Sequence, residues 1–455
     1  MSVHWGGKGP GHVSRWPKAV GPVNTYSGAT MLLDFLNPVL DPRITFSRGT
    51  GATRVNASGF IETVGNTTPR FDYDPVTLAP RGLLIEEART NLLLRSDDWS
   101  NAAWSTSGAT ITANATASPD GTTNADALVE DASTGLHITQ QFITFANATA
   151  YTVSVYIKAG SRTWVQVALP AAAFTASQGG FFNLSGAGSL GTVTGTPTAR
   201  SITAVGNGWY RITVTATSTA AAGGNVAIVA ASADGTTSYA GTNGSQALYA
   251  YGAQLEAGAF ATSYIPTVAS TVSRSADVAS MTGTNFSTWY NQTEGTFIVD
   301  VAAAAGLRTG GGVQGIFSVN DGTTSNVMNA ARTASRTARF NGTGSPAGDV
   351  TSVGTMADGG IVKLAAAYKL NDWGLSLGGA TVVADTSAVV PPVNRLGIGS
   401  LDGLFDPAAQ WGGHIRAIAY YNTRLPNTQL QTLTAPSLAS PLALDFLSTT
   451  YTVGY

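Results

Sequence analysis

Two adjacent carboxylates near a guanidinium are the first residues of this chain whose types and spacing could do acid–base chemistry. Glu86 and Glu87 are neighbours and precede Arg89. Hydrolysis needs two carboxylates in a cleft, or a nucleophile beside its base. The other acidic residues of the sequence fall mainly in predicted turns, and no nucleophile stands beside Glu86 and Glu87 in the sequence. We therefore predict structural roles, in which one carboxylate bonds Arg89 or backbone amides, and no catalytic residues. The chain is predicted not to be an enzyme.

Metal chemistry has few candidate ligands. The four histidines are scattered, with none of the spacings that metal sites use, so we predict no zinc site and no required cofactor. The segment SPDGTTNAD contains Asp120, Asn124 and Asp126, whose side-chain oxygens could bind Ca²⁺. A plain turn explains the same residues, and it is the interpretation we prefer.

Aromatic and amide side chains on predicted strands offer a third kind of chemistry, the binding of saccharides. Sugar rings pack their C–H groups on aromatic faces, while amide, carboxylate and guanidinium groups bond the sugar hydroxyls. Polar residues alternate with apolar ones along these strands, so they share one face. We predict a carbohydrate-binding platform of Tyr156, Trp164, Gln166, Trp209 and Arg211. The alternative is that these aromatic side chains pack under a loop or against a neighbouring domain.

The composition indicates which elements must position such residues. Charged residues make up 11% of the 455, and 53 residues are glycine. A typical globular protein has roughly 25% charged residues. Few charges with many small and β-branched residues favour β-sheets over helical bundles. We therefore predict an all-β protein.

The net charge, the cysteine content and the lengths of the apolar runs limit the partners and the cellular location that we expect. The net charge of −2 does not indicate a nucleic acid or an anionic membrane surface as a partner. The absence of cysteine is compatible with folding in a reducing bacterial cytoplasm. No apolar stretch near the N-terminus resembles a secretory signal, and no run approaches the ~20 apolar residues of a transmembrane helix. We expect no membrane insertion.

Regularly spaced strand candidates, separated by Gly, Asn and Asp turns, run through residues 96–268. About eight such strands at this spacing predict a two-sheet antiparallel sandwich. Small polar residues over 269–285 predict a linker. A second β block follows over 286–436 and predicts a second antiparallel sandwich.

The two ends of the chain are predicted to lack a core of their own. The first residues are rich in Gly, Pro, Trp and basic side chains without hydrophobic periodicity. We predict that residues 1–95 form an irregular attachment region and joint, in which Arg81–Leu94 is either a short helix or a strand and a turn. Trp5 and Trp16 either dock into a partner protein or cover a neighbouring domain. Residues 437–455 are predicted to be a C-terminal tail.

Three stretches of sequence resemble a known class of proteins. The first is PRFDYDPVTLAPRGLLIEEARTNLLL, at Pro69–Leu94. The second is a series of pieces within residues 96–268, which in order are SDDWSNAAW, YTVSVYIKAG, GNGWYR, DGTTSY and GAQLEAGAFATSYIPT. The third is RLGIG, at Arg395–Gly399, with WGGHIRAIAYYNTRLPNTQLQTL, at Trp411–Leu433. The first two resemble phage tail-fibre, tail-spike and head-spike proteins, in which such a segment precedes a carbohydrate-binding-module-like jelly roll. The third is similar to concanavalin-like (laminin G-like) sandwiches.

This resemblance implies a virion structural protein, a spike or fibre on the head or tail of a phage or gene-transfer-agent particle. It implies adhesion to host surface polysaccharide, such as capsule or lipopolysaccharide. It also implies assembly in the bacterial cytoplasm, a place on the virion surface, a homo-oligomer, and attachment to capsid or tail proteins through the N-terminal region. Two alternatives stay open. One is a purely structural connector or decoration protein, and the other is a capsule-degrading hydrolase. The long β-helix repeats of depolymerising tail spikes are missing from the sequence, which argues against the hydrolase.

Overall fold

The chain folds into two antiparallel β-sandwiches, which confirms the predicted fold class. The computed structural model describes residues 26–303, 306, 312–402 and 409–436. Within these residues, no helix is both long enough and apolar enough to cross a lipid bilayer. Trp5 and Trp16, predicted to attach the chain to a partner, lie outside the described residues, and so does the predicted tail 437–455.

The strands and helices of the described residues succeed one another along the chain as three groups. Before the first sandwich come β1 (Met31–Asp34), β2 (Thr45–Ser47), β3 (Ala52–Val55), β4 (Ile61–Val64), β5 (Phe71–Tyr73), β6 (Pro80–Ile85) and β7 (Arg89–Asn91). The first sandwich contains β8 (Ser105–Ser107), β9 (Ala109–Ala117), β10 (Thr123–Glu130), β11 (Thr134–Phe145), β12 (Ala150–Ala159), β13 (Trp164–Leu169), α1 (Ala171–Phe174), β14 (Gln178–Asn183), β15 (Ser189–Thr194), β16 (Ala199–Ala204), β17 (Trp209–Thr217), β18 (Ala222–Ala231), β19 (Ser238–Ala240) and β20 (Gln246–Ala257). The remaining elements are β21 (Val272–Arg274), β22 (Val278–Thr282), α2 (Thr284–Ser287), β23 (Glu294–Ala303), β24 (Gln314–Asn320), β25 (Val327–Arg332), β26 (Ala338–Gly342), β27 (Asp349–Thr351), β28 (Ile361–Lys369), β29 (Trp373–Leu377), β30 (Val383–Asp385), β31 (Arg395–Ile398), β32 (Gly413–Tyr421) and α3 (Asn427–Thr434).

The first sandwich packs a six-stranded sheet against a seven-stranded one. The six-stranded sheet has the order β16-β17-β12-β20-β10-β9, and the other has β15-β14-β13-β18-β11-β19 with β8 beside β11. In β12, Val153, Val155 and Ile157 are fully buried in the core between the sheets. Successive side chains of a strand point to opposite faces, so Ser154 and Tyr156 lie on the outer face of the six-stranded sheet.

The second sandwich packs an eight-stranded sheet against a seven-stranded one. The first has the order β30-β29-β28-β23-β32-β6-β5 with β1 beside β32, and the second has β2-β22-β31-β24-β25-β26-β27. Trp373 is fully buried between them and stacks on Phe340, with the ring centroids 4.7 Å apart. Burying such aromatic rings supplies much of the free energy that holds two sheets face to face.

The sheet pairing differs from the predicted domain division at residues 95 and 269–285. Strands β1, β2, β5 and β6 precede the first sandwich but pair within the sheets of the second, and so does β22 of the predicted linker. These strands have three to six residues each, too short to show a clear hydrophobic period. Gly82 of β6 has φ +108°, and a Cβ there would lie 2.5 Å from the carbonyl oxygen of Ile415 in β32. Only glycine permits this close pairing.

The first sandwich is an insertion into the second. The chain leaves the second sandwich through β7 and returns through β21, and these two strands pair with each other antiparallel. We call this two-stranded connection, residues 89–91 and 272–274, the neck. Of the two predicted structures for Arg81–Leu94, the strand and turn is the one observed, because β6 and β7 occupy this segment.

Candidate functional site

A buried group of charged side chains, which we call the neck cluster, joins the neck to the second sandwich. Arg70 donates from Nη1 to Oε2 of Glu86 at 2.6 Å, and from Nη2 to Asp277. Arg274 Nη1 lies 2.7 Å from the same Oε2 of Glu86, and Arg48 Nη1 lies 3.0 Å from Oδ1 of Asp277. All five residues are buried. Three guanidinium groups therefore share two carboxylates away from water, and they tie the strands before the first sandwich to the segment after it.

The predicted structural role of Glu86 and Glu87 agrees with these contacts. Burial raises the pKa of Glu86, but the guanidinium groups of Arg274 and Arg70 and hydrogen bonds from Ser263 outweigh it, so the pKa lies well below its usual range. The Ser263 amide donates to Oε1 at 2.8 Å, and its hydroxyl donates to Oε2 at 2.7 Å. Glu87 pairs with Arg89, as predicted for one of the two carboxylates.

A cleft of about 750 Å³ lies between the two sandwiches beside the neck cluster. Its floor is the outer face of β16 and β17, where the exposed Thr203 neighbours Arg211 in the strand register. The hairpin of β5 and β6 forms part of the wall. Other strands of the same sheet of the second sandwich form the rest of the wall, around Ile361 of β28 and His414 of β32. The cleft therefore exists only because β6 pairs within the second sandwich while the chain continues into the first.

The floor of the cleft carries a row of hydroxyl groups. Ser201 and Thr213 are paired across β16 and β17, and their hydroxyl oxygens lie 2.6 Å apart. The hydroxyl oxygens of Thr152 and Thr215 lie 2.8 Å apart next to them, but both side chains are buried, so Ser201 and Thr213 are the pair that a ligand can reach. A hydroxyl both donates and accepts, so this floor can bond either kind of polar group on a ligand.

Most charged side chains that line the cleft are held in ion pairs. The pairs are Arg54 with Glu62 (2.7 Å), Arg81 with Asp74 (2.8 Å) and Arg416 with Asp300 (3.2 Å). His414 Nε2 also lies within hydrogen-bond distance of Asp72 Oδ2, at 2.8 Å. Arg200 instead turns its guanidinium group to the carbonyl oxygens of Gly191 and Thr192, each at 3.2 Å. These contacts fix the walls of the cleft, so the charged groups that make them have a structural role.

Arg211, like Arg200, is held without a carboxylate partner in the described part of the chain. Its Nη2 donates to the carbonyl oxygen of Thr262 at 2.6 Å and to the hydroxyl of Ser154 at 3.1 Å. Its guanidinium carbon lies 5.4 Å from the ring centroid of Tyr156. Among the described residues, Arg211 forms no ion pair, and its Nη1 has no hydrogen-bond partner. The cleft thus contains a fixed positive charge without a counter-ion from this part of the chain.

The five residues predicted to bind carbohydrate lie on two opposite faces of the first sandwich. Tyr156, Trp209 and Arg211 are on the outer face of the six-stranded sheet, on β12 and β17. Trp164 and Gln166 are on β13, on the outer face of the seven-stranded sheet. The fold therefore does not assemble the five into a single platform, and of them only Tyr156 and Arg211 line the cleft.

The two buried aromatic residues of this set pack as the alternative interpretation predicts. Trp209 is 1% exposed and Tyr156 is 6% exposed. Both belong to a small cluster with Tyr251 and Tyr264, against which Ile61 of β4 also packs. Tyr156 and Trp209 thus offer no open ring face to a sugar, because the strands before the first sandwich cover this face.

The hydroxyl row of the cleft is the part of the site that the sequence reasoning missed. Ser201 and Thr213 stand on predicted strands, and polar residues alternate with apolar ones around them. This alternation was the available signal for an outward face. Nothing in the alternation indicates that β6 and β32 come to lie opposite that face.

The residues considered as Ca²⁺ ligands form a turn and a buried hydrogen-bond site instead. Asp120 accepts a hydrogen bond from the side-chain amide of Asn124 at 2.9 Å. The two carboxylate oxygens of Asp126 accept from the backbone amides of Trp99 and Asn114, at 2.7 and 2.9 Å. Over the residues that the structure describes, no three acidic or histidine side chains meet closely enough to hold a metal ion. The preferred interpretation as a turn fits these contacts.

Glu130 makes the stability of the first sandwich sensitive to acid. Its carboxylate accepts two hydrogen bonds from Arg162, at 2.6 and 2.8 Å, and others from the Tyr239 hydroxyl and the Thr242 amide. Burial raises the pKa of Glu130, but these donors outweigh it and lower the pKa to about 2. The pKa of an unfolded glutamate is higher, about 4.3. The stabilisation is therefore complete above about pH 5 and is lost as the pH falls towards 2.

We expect the Glu130→Gln variant to lose this acid sensitivity. Thermal unfolding at pH 7, 5 and 3 should show a smaller fall in Tm between pH 5 and pH 3 for the variant than for the unmodified chain. At pH 7 the variant should be the less stable of the two, since it loses a charged hydrogen-bond partner. An equal fall in Tm for both proteins would show that Glu130 does not titrate as described.

Comparison with known proteins finds structural neighbours. No family model matches the chain, and no curated protein matches its sequence. One similar solved structure is the Ruminococcus gnavus IT-sialidase CBM40 bound to α2,3-sialyllactose, with 13% identity, 33% of this chain and 88% of that chain covered, and a TM-score of 0.29. Another is the NanB sialidase of Streptococcus pneumoniae, with 12% identity, 34% and 26% covered, and a TM-score of 0.28. A third is the leech intramolecular trans-sialidase, with 16% identity, 32% and 23% covered, and a TM-score of 0.27. At these identities and TM-scores, the likeness assigns neither a ligand nor an activity to this chain.

Proposed function

We propose that this chain is a non-enzymatic spike or fibre of a phage or gene-transfer-agent particle, and that it binds host surface polysaccharide in the cleft between its sandwiches. The observation that carries the binding proposal is the composition of the cleft. Its floor presents hydroxyl groups and the guanidinium group of Arg211, and its walls include the exposed apolar side chain of Ile361. Sugar rings require this combination, since they carry many hydroxyl groups and also apolar C–H faces.

The rigidity of the cleft also supports a binding role. Its floor lies on paired strands, and part of the wall is the hairpin whose strand β6 pairs with β32. The neck cluster fixes that hairpin to the segment after the first sandwich. A site built on such elements loses little conformational entropy when a ligand binds, which favours affinity.

The particle context of the proposal rests on the resemblance of Pro69–Leu94 and residues 96–268 to phage spike and fibre proteins. In this proposal, the chain is assembled in the bacterial cytoplasm and is displayed on the virion surface as a homo-oligomer. Its N-terminal region, with Trp5 and Trp16, binds a capsid or tail protein. Electron microscopy of the particle, with the chain labelled, tests this placement directly.

Filling the cleft should weaken polysaccharide binding. Thr203 is exposed on the cleft floor, whereas Thr144 is exposed on β11 of the opposite sheet. We expect Thr203→Trp to weaken binding by about tenfold or more, which corresponds to ~1.4 kcal/mol. The matched variant Thr144→Trp should bind as the unmodified chain does. The measurement is biolayer interferometry of the full chain on immobilised capsule and lipopolysaccharide from candidate hosts.

Two results would contradict the proposal. If the unmodified chain bound none of these polysaccharides and particles lacking it adsorbed normally to cells, the adhesion function would be wrong. If the chain bound polysaccharide but Thr203→Trp had no effect, the binding surface would lie outside the cleft.

A further inference from the structure

The charge on the floor of the cleft carries information about the ligand. Arg211 is half-buried on β17, and its Nη2 is fixed by Thr262 and Ser154. Its Nη1 has no hydrogen-bond partner within the described part of the chain, and its Nε is buried without one. A guanidinium group has five N–H donors, and the described residues supply acceptors only for the donors on Nη2.

The other arginines of the cleft show what this chain usually does with such a group. Arg54, Arg81 and Arg416 each pair with a carboxylate of the chain. Arg200 bonds two backbone carbonyl oxygens on β15. Arg211, like Arg200, lacks an acidic partner in the described residues, but Arg211 lies on the cleft floor beside the hydroxyl groups and keeps its Nη1 without an acceptor there. Charged groups in a partly enclosed cleft interact more strongly than on an open surface, so an anion placed here would be stabilised.

The surroundings of Arg211 limit what that anion is. Ser201 and Thr213 form the next cross-strand pair on the same face, two residues along each strand from Thr203 and Arg211, so their hydroxyl groups lie beside Arg211 on the cleft floor. The carboxylates of Asp72, Asp74 and Glu86 also line the cleft, but each already has a basic side chain of the chain as its partner. A ligand that carries carboxylate groups and many hydroxyl groups fits these surroundings.

We propose that the ligand of the cleft is a polysaccharide whose sugar residues carry carboxylate groups, and that Arg211 binds one of these carboxylates through Nη1. The hydroxyl groups of Ser201 and Thr213 bond the hydroxyl groups of the same sugar or the next one. This inference rests on the proposed function, since it names the chemical class of polysaccharide for the same cleft. A carboxylate bound to arginine forms charge-assisted hydrogen bonds, which are stronger than bonds between neutral groups.

The test compares ligands that differ only in the carboxylate group. The full chain is titrated with polygalacturonate, with the same polymer after chemical reduction of its carboxylates to alcohols, and with neutral dextran. We expect polygalacturonate to bind at least about tenfold more tightly than its reduced form, because hydrogen bonds to a charged group are stronger than those between neutral groups. The difference should shrink as salt concentration rises.

Substitution of Arg211 provides the second part of the binding test. Arg211→Met should lower the affinity for polygalacturonate about tenfold or more and leave the weak binding of the reduced polymer unchanged. Arg211→Lys should retain part of the preference, since it keeps the charge as a single point. Arg339→Met removes one exposed charge from the second sandwich and serves as the control for net charge. Thermal unfolding of each variant checks that the protein is folded at the temperature of the binding measurement.

The outcomes separate this inference from the proposed function. Equal binding of polygalacturonate and its reduced form, or binding that Arg211→Met leaves intact, would overturn the role of the carboxylate while leaving polysaccharide adhesion standing. Binding of other surface polysaccharides without any binding of polygalacturonate above the dextran level would also overturn it. The absence of binding to every polysaccharide would overturn the proposed function and the inference together.

Discussion

Replacing Asp277 by asparagine is expected to lower the free energy of unfolding by about 3–5 kcal/mol. Asp277 is fully buried and accepts hydrogen bonds from Arg48 at 3.0 Å, from Arg70, and from the backbone amide of Glu86 at 2.9 Å. Asparagine has one side-chain oxygen and a neutral amide nitrogen. The variant would therefore leave three buried guanidinium groups, including that of Arg274, with Glu86 as their remaining carboxylate in the neck cluster.

The size of this effect follows from burial. An ion in the protein interior has lost its hydration, and its partners alone compensate for that loss. The pKa of Arg70 is raised although burial lowers it, because Asp277 and Glu86 more than offset the loss of water. Removing one of these carboxylates leaves the cost of burying the guanidinium groups in place. The neck cluster also joins residues far apart in sequence, so the loss should affect both sandwiches.

Urea unfolding followed by circular dichroism measures the effect, with Asp349→Asn as the matched control. Asp349 pairs with Arg339 through two hydrogen bonds of 2.7 Å, but both side chains are exposed, 52% and 38% respectively. Exposed pairs contribute about 0–1 kcal/mol, so this control should lose little. Equal small losses in both variants would show that the neck cluster does not stabilise the fold as an ion-pair network.

The faces of the first sandwich could be predicted from the sequence. The alternation along β12 places Val153 and Val155 in the core and Tyr156 on the outer face, as observed. The structural role of Glu86 and Glu87 also followed from the sequence, since no catalytic partner accompanied them. Local alternation and local chemistry are sufficient for such conclusions because they involve neighbouring residues.

The cleft and the insertion of one sandwich into the other could not be predicted in this way. They depend on the pairing of β6 with β32 and of β7 with β21, which joins residues that are far apart in the sequence. Short strands pair through backbone hydrogen bonds that any sequence can make, so their partners leave little mark on the residues. The charges are the exception. Arg274 and Asp277 lie in the predicted linker, and both are buried. A buried charge needs partners, so these two residues point to contacts with distant parts of the chain.

The predicted sugar platform shows the same limit. Alternation correctly places Trp209 and Arg211 on one outer face of β17. It does not indicate what covers that face, and the strands before the first sandwich cover the end that contains Trp209 while leaving the cleft at Arg211. A residue on the outer face of a sheet in an insertion therefore has two possible environments, solvent or the parent domain.

Trp209→Ala separates these two roles, and we expect it to cost about 3–5 kcal/mol of stability. The indole is 1% exposed, and its Nε1 donates to the carbonyl oxygen of Ala117 at 3.1 Å. It packs with Tyr156 and Tyr251 between β17 and the strands that cover the face. Truncation would leave a cavity there and remove the hydrogen bond to Ala117, and both contribute to the loss. Binding of polysaccharide by the molecules that remain folded should be unchanged, since Trp209 does not line the cleft.

The control for this change is Trp164→Ala, the same truncation on the outer face of the seven-stranded sheet. Trp164 is only partly buried, so less apolar surface is lost and the destabilisation should be well below that of Trp209→Ala. Urea unfolding gives the stability of both variants, and titration with polysaccharide below the unfolding transition gives their affinity. If Trp209→Ala kept its stability but lost polysaccharide binding, the ring would contact sugar, and the covering strands would have to move aside to expose it. If it lost stability alone, Trp209 would be part of the contact that holds the inserted sandwich to its parent, and the binding surface would be confined to the side of this face where Arg211 lies.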